Sequence, residues 1–208
     1  MAVGVEHQGR GLGKMVMEAL LERAEGCGLQ SLRLLQAAYN LVSFSLYCRL
    51  GFDAKDEIAS LRGRPPAEES ADGAVRECTP GDLDALDDLN LEVLGFRRRG
   101  DLEMAMSFVR PLLIERQGHP VGYVCRFPTP SGTFLGPAAA RDEETLKALI
   151  VGAARLMPGD LRLAVPVSCS SLLRWALRSG FSLRELANLM VRGTYGAPAG
   201  AYMPSAWY

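Results

Sequence analysis

The sequence predicts an α/β fold, a mixed sheet flanked by helices, in two successive copies. Three observations carry this. Helical and strand-like apolar periods alternate along the chain, glycine and proline punctuate them, and one stretch recurs after a shift of 129 residues. Under that shift Leu32-Arg33-Leu34 falls on Leu161-Arg162-Leu163, Gly51-Phe52 on Gly180-Phe181, and Ala19-Leu20 on Ala148-Leu149. Arg62-Gly63 meets Arg192-Gly193 after a single inserted residue. The stretch from residue 19 to residue 52 needs no gap, which favours two copies of one domain over coincidence.

In chain order, residues 1–5 (Met-Ala-Val-Gly-Val) read as the end of a strand. A helix follows from Gly11 to about Glu25, with Leu12, Val16, Ala19 and Leu20 on one face and Gly26 and Gly28 as the stop. Leu32 to Leu35 is a short strand, and Val42 to Leu50 a helix ended by Gly51, where a left-handed cap suits glycine. Ile58 to Leu61 is strand-like and leads into Arg64-Pro65-Pro66-Ala67-Glu68-Glu69-Ser70-Ala71-Asp72-Gly73, whose prolines and small and acidic residues read as a linker. Val75 to Cys78 restarts a strand, and Thr79-Pro80 opens a helix running to about Leu94. Leu112–Arg116 and Val121–Phe127 form a hairpin across Gln117 to Pro120, with His119 as a turn residue. The tail from Thr194 to Tyr208, rich in Gly, Ala, Pro and aromatics, is either ordered against a domain or free.

At 208 residues, 48% hydrophobic and 23% charged, the chain has the composition of a globular protein of one large or two small domains. A formal charge of −1 supplies no field for nucleic acid or anionic lipid. The run Arg97-Arg98-Arg99 reads as a solvated helix end. Five cysteines, odd in number and without a C-x-x-C pair, point to reduced thiols in a cytoplasm. With only His7 and His119 and no ligand-spaced cluster, no metal site is expected. No apolar run or leader suggests a membrane partner.

The segment Gln8-Gly9-Arg10-Gly11-Leu12-Gly13, followed by Lys14, sits between a strand and a helix start. Glycines there let the backbone approach a ligand, and unpaired N–H groups with the helix dipole suit a pyrophosphate. It is not a P-loop, which needs Gly at Gln8 and Ser or Thr at Met15. Nor is it a dinucleotide fingerprint, which needs Gly at Lys14. Taken alone, such a turn also has a plain reading, a tight loop without a ligand.

The pattern resembles the GNAT acetyltransferases, in which Gln/Arg-x-x-Gly-x-Gly/Ala follows the fourth strand and grips the coenzyme A pyrophosphate. The later motif of that family is similar to Asn40, Ser43, Leu46-Tyr47 and Gly51-Phe52, with every spacing matched. The resemblance implies tandem GNAT-like domains. Residues 1–63 would be the C-terminal half of a first domain with the acetyl-CoA motif, 64–73 a linker, 74–193 a second domain lacking the motif, and 194–208 a tail. It also implies an acetyl-CoA-dependent N-acetyltransferase in which a neutral primary amine, of a small molecule or a peptide, attacks the thioester directly. A backbone N–H flanked by Val3 and Val5 would polarise the carbonyl. Gln8, Gly9, Arg10, Gly11, Leu12, Gly13 and Lys14 would hold the pyrophosphate, Asn40 the cofactor arm, and Tyr47 would protonate the leaving thiolate. Tyr47 also reads as a core aromatic and Asn40 as a helix cap. Glu6 is the only carboxylate near the loop, and it reads as a solvated charge.

The second copy departs from this motif. Under the same shift Gln8, Gly11 and Gly13 meet Pro137, Ala140 and Asp142, Asn40 meets Cys169, and Tyr47 meets Ala176. Acidic residues at a helix N-terminus stabilise the helix and repel a further anion. This copy therefore reads as structural or acceptor-binding. The alternative for the whole chain is a catalytically silent acyl-CoA-binding or interaction module. Since the second copy begins near Ala74, the first is expected to lack about 55 residues before Met1. Either the natural chain begins upstream, or the second domain or a second subunit, as in a homodimer, covers the exposed edge.

Overall fold

Each strand and helix arises where the apolar period changes. The computed structural model describes residues 4–7, 9–69 and 73–204. In chain order these form α1 (Leu12–Gly26), β1 (Ser31–Ala37), α2 (Leu41–Arg49), β2 (Asp53–Gly63), β3 (Val75–Glu77), α3 (Leu83–Leu94), α4 (Arg99–Phe108) and β4 (Leu112–Arg116). There follow β5 (His119–Thr129), β6 (Gly132–Ala140), α5 (Glu143–Leu156), β7 (Leu161–Pro166), α6 (Ser170–Arg178), β8 (Phe181–Gly193) and β9 (Ala201–Met203).

The repeat is visible in the caps. Asn40 and Cys169 are the N-caps of α2 and α6, both helices have nine residues, and Gly51 and Gly180 follow them at φ 83° and 89°. The repeat slips at the preceding helix. Gly11 caps α1 and Asp142 caps α5, two residues further apart than the shift of 129. Pro137 and Ala140, matched in sequence to the glycine loop, lie inside strand β6 instead. The loop of the second copy is therefore shorter, because its strand runs almost to the helix.

The chain divides into two compact units, Met1–Lys55 with Asn188–Tyr195 and Asp56–Ala187 with Gly196–Tyr208. The long strands β2 and β8 each begin in one unit and end in the other.

In the first unit β1 neighbours β8. Its core gathers Met17 and Leu21 of α1, Tyr47 of α2, Phe52 and Met190, each 9% exposed or less. The inward face of α1 is thus Met17, Leu21 and Ala24, not the expected Leu12, Val16, Ala19 and Leu20; Val16 and Leu20 remain 46% and 55% exposed. Apolar residues lie on both sides of this helix, and the tertiary partners Tyr47, Phe52 and Met190 select one of them. Of the strand expected at residues 1–5, the described end is a turn instead. Val5–His7 form a 3-10 turn in which the His7 N–H donates to Gly4 O at 2.9 Å. A strand exists only when a neighbour takes its ladder bonds, and here the backbone bonds to itself. Residues Met1 to Val3 lie outside the described residues.

In the second unit the strands run in the order β8-β2-β7-β6-β5-β4-β3, with β9 also on β6. The resolved pairings are antiparallel except that of β6 with β7. Helix α5 buries Leu146, Leu149, Ile150 and Ala153, a helical spacing, in the main core with Leu112, Ile114, Leu135 and Leu163. Each fully buried Leu or Ile contributes about 1.5–3 kcal/mol. The β4–β5 turn is Gln117-Gly118 alone, both with left-handed φ (54° and 77°), and His119 pairs with Arg116 as a strand residue rather than in the turn.

Two charged stretches prove to be anchors. The Arg64 guanidinium donates to Met157 O at 2.8 Å and Gly159 O at 2.5 Å and also reaches Ala154 O, while Glu69 accepts from Trp175 Nε1 at 3.0 Å. Residues 64–69 are therefore pinned to the second unit. In the arginine run, Arg97 pairs with Asp87 and Asp88, Arg98 with Asp101 at 2.7 Å, and Arg99 with Asp84 and Glu103. The Arg98 side chain is 6% exposed while those of Arg97 and Arg99 are 53% and 48% exposed, so the run ties α3 to α4 with only its middle residue withdrawn from solvent.

Candidate active site

The start of α1 is glycine-rich and open. Gly9 and Gly11 have φ of 75° and 77°, and a β-carbon at either would meet nothing within 4 Å. Glycine is needed at both for backbone conformation rather than for space, and the surroundings are open to a ligand. The first internal helix bond is Met15 N–H to Gly11 O at 3.1 Å, so the N–H groups of Leu12, Gly13 and Lys14 have no helical acceptor. Gly11 provides no side-chain cap, and the first turn contains no acidic residue. Exposed Arg10 adds a cation, and exposed Lys14 is held 3.6 Å from Glu18 one turn on. Gln8 and Val3 lie outside the described residues. Val5 lies in the 3-10 turn, so no strand N–H is built at that position.

The same position in the second copy is acidic and capped by a side chain. Asp142 caps α5 by accepting the Thr145 N–H at 2.6 Å, and Glu143 and Glu144 complete an acidic first turn. Asp142 sits below the usual carboxylate range: burial works against this, and the bonds from Thr145 and the Arg116 guanidinium outweigh it. The Glu143 carboxylate accepts the Leu172 N–H of α6 at 2.5 Å, which spends another carboxylate on internal bonding.

Tyr47 is buried against Phe52, with ring centroids 5.9 Å apart. Its hydroxyl has no hydrogen-bond partner among the described residues. Burial pushes the phenol above its ordinary value, so it keeps its proton at neutral pH. Asn40 is engaged as a cap: its Oδ1 accepts the Ser43 N–H at 3.1 Å. Because α1 contributes Met17 and Leu21 to the cluster that holds Tyr47, the glycine loop and Tyr47 belong to one packed unit. Glu6 is 72% exposed beside His7.

Gln36 was not legible from sequence. It is 2% exposed, its amide nitrogen reaches Ala37 O, Asn40 O and Ser43 Oγ at 2.5, 2.7 and 3.0 Å, and its oxygen accepts from Asn188 at 2.8 Å. Gln36 holds the turn that presents Asn40. The only sequence signal is a lone polar residue at the end of an apolar strand, and its partner lies 152 residues away. Among the described residues no group of three or more His, Cys, Asp or Glu could hold a metal, and no helix is long and apolar enough to cross a membrane.

Comparison with known proteins bears on these features. The family model described as Acetyltransferase (GNAT) domain matches residues 87–200, and that described as Acetyltransferase (GNAT) family matches residues 1–52. No curated protein matches the chain. Among solved structures, a protein of Pyrococcus horikoshii provisionally described as an acetyltransferase superposes with a TM-score of 0.77 at 18% identity, over 97% of this chain and 68% of that one. A GCN5-related N-acetyltransferase from Sphaerobacter thermophilus gives 0.58 at 17% identity, over 94% and 72%. Another from Anabaena variabilis gives 0.58 at 14%, over 92% of this chain and 53% of that one, so the chain spans about half its length. At these identities the structures speak for the fold. The family matches cover both sequence copies, one of them over more than half the chain, and place it in the GNAT acetyltransferase family.

Proposed function

We propose that the first copy is the site of an acetyl-CoA-dependent N-acetyltransferase and that the second, from residue 74 to 193, serves a structural or acceptor-binding role. The observation that carries this is the contrast between two helix starts. At α1, N–H groups without a helical acceptor, two left-handed glycines and no acid in the first turn suit a pyrophosphate, whereas α5 is capped and ringed by carboxylates. In this reading Gly9 to Lys14 hold the diphosphate, joined by Gln8. A neutral primary amine attacks the thioester carbonyl, the C–N bond forms and the C–S bond breaks. The protonated Tyr47 then supplies the proton taken up by the thiolate, a contribution of about 10²–10⁴ in rate. The surplus proton on nitrogen leaves to solvent. Asn40 offers the cofactor arm its amide N–H groups, since its oxygen is used in capping.

A second reading, a silent acyl-CoA-binding or interaction module, is favoured by one observation: no strand N–H is built at Val5 to polarise a carbonyl. Calorimetry with acetyl-CoA, run beside thiol-release assays on a panel of small-molecule and peptide amines, separates the two. Binding with thiol release is the expected outcome. Binding without release for any amine supports an acyl-CoA-binding module, and absence of binding overturns the transferase and leaves the interaction module.

A further inference from the structure

Strands β6 and β7 are parallel and in register only from Thr133↔Leu161 to Leu135↔Leu163. Beyond that point β6 turns its edge to β9, pairing Ala138 with Met203, Ala139 with Tyr202 and Ala140 with Ala201, while the other edge of β7 is taken by β2. The chain's own C-terminal segment has thus entered the opening between two parting parallel strands. The fit is close. Ala201, Tyr202 and Met203 are 2%, 7% and 0% exposed. A β-carbon at Gly136 would stand 2.8 Å from Pro204 O, and one at Gly200 would collide with Ala140 O. On the approach, the Ala199 N–H donates to Val93 O at 2.8 Å.

The contact that identifies this opening is at Cys169. It is buried in the same core cluster as Ala201 and Met203 of β9. Cys169 and Asn40 are equivalent N-caps in the two copies. Where the proposed function has the first copy offer Asn40 to a cofactor arm, the second copy buries its equivalent with a peptide strand. The neighbouring acidic turn at Asp142–Glu144 repels anions but leaves an uncharged Ala-Tyr-Met strand unopposed. Gly196, Ala197 and Ala199, leading into β9, are exposed, as a tether would be.

We propose that the opening between β6 and β7 is a site for an extended, uncharged peptide strand, filled in cis by Ala201–Met203. Recognition is by strand addition: main-chain bonds to Ala138–Ala140 give affinity, and the Cys169 contact and the buried Tyr202 and Met203 side chains give selectivity. The comparison with a cofactor arm rests on the proposed role of the first copy, whereas the peptide site itself does not.

The test uses the full chain with the exposed Cys27 and Cys48 changed to Ser and a specific protease sequence inserted between Gly196 and Ala197. After cleavage, a fluorescent peptide corresponding to Ala197–Pro204 is titrated by anisotropy, and labelling of Cys169 is followed by mass spectrometry. The expected result is that the cut tail is exchanged by excess peptide with saturation, whereas a cut tail that stays bound and never exchanges overturns the proposal. Peptide binding should slow Cys169 labelling at least tenfold. A peptide N-methylated at the Tyr202 position, which loses a main-chain N–H and adds bulk within the paired strand, should bind at least tenfold more weakly. A folded, cut chain that loses its tail and neither binds the peptide nor protects Cys169 overturns the proposal. So does a chain that unfolds when the tail leaves, since β9 would then be a core strand and not a ligand. Acetyl-CoA titration of the same samples reports separately on the first copy: loss of that binding with peptide capture intact counts against the proposed function alone.

Discussion

At Gly11, conformation and space can be separated. The residue is left-handed, yet its surroundings are open, so a side chain there is strained without colliding. Gly11→Asn keeps a residue type that tolerates this conformation, while Gly11→Asp adds a negative charge beside the unpaired N–H groups. Acetyl-CoA affinity should fall at least tenfold in Gly11→Asp, about 1.4 kcal/mol, and less in Gly11→Asn. Calorimetry giving equal, unchanged affinities would remove the pyrophosphate from this loop. Tyr47→Phe keeps the packing on Phe52 and deletes the proton donor. Turnover should fall about 10²-fold or more with little change in cofactor affinity. A variant as fast as the parent would make Tyr47 a packing residue only.

The entry to α3 offers a test at the level of one element. Asp82 accepts the Thr79 N–H at 2.6 Å and both guanidinium nitrogens of Arg76 at 2.9 and 2.8 Å, and Arg76 also bonds Glu115 of β4. The Arg76 bonds hold the Asp82 carboxyl well below the ordinary carboxylate range. A depressed folded value means this contribution is complete above the unfolded pKa of about 3.9 and is lost as pH falls below it. Asp82→Asn should therefore lower Tm at pH 7 by about 2–8 °C, the equivalent of about 1–2 kcal/mol. Its Tm should also decline less steeply than that of the parent between about pH 4 and pH 2. Parallel acid-melting curves for the two proteins would argue against this account.

For the whole molecule, the two sequence copies do not map onto the two compact units. Met190, fully buried, belongs to the core of Met17, Leu21, Tyr47 and Phe52, and Asn188 bonds the buried Gln36. Residues 1–63 expressed alone lack both. They should show no cooperative melt by circular dichroism, whereas the full chain should; a sharp transition in the fragment would show that the first copy folds without strand β8.

What the sequence determined by itself was local and periodic. Spacing marked α2 and its glycine stop, the Gly9–Gly13 loop, and the strands and helices repeated after 129 residues, because caps, turns and apolar periods are read from neighbours. It also carried the acidic start of α5, since Asp142–Glu144 are charges visible in the chain. What only the tertiary structure decided depended on distant partners. Helix α1 has apolar residues on two sides, and Met190 and Tyr47 chose Met17 and Leu21 over Val16 and Leu20. Residues near Val5 became a turn because a strand is made by its neighbour. Gln36 became a hub through Asn188, and a tail of small residues became β9 because β6 and β7 part and leave an edge to be paired. Pairing across such distances is a property of the folded chain, since a strand edge or a buried amide is satisfied by whatever the fold brings to it.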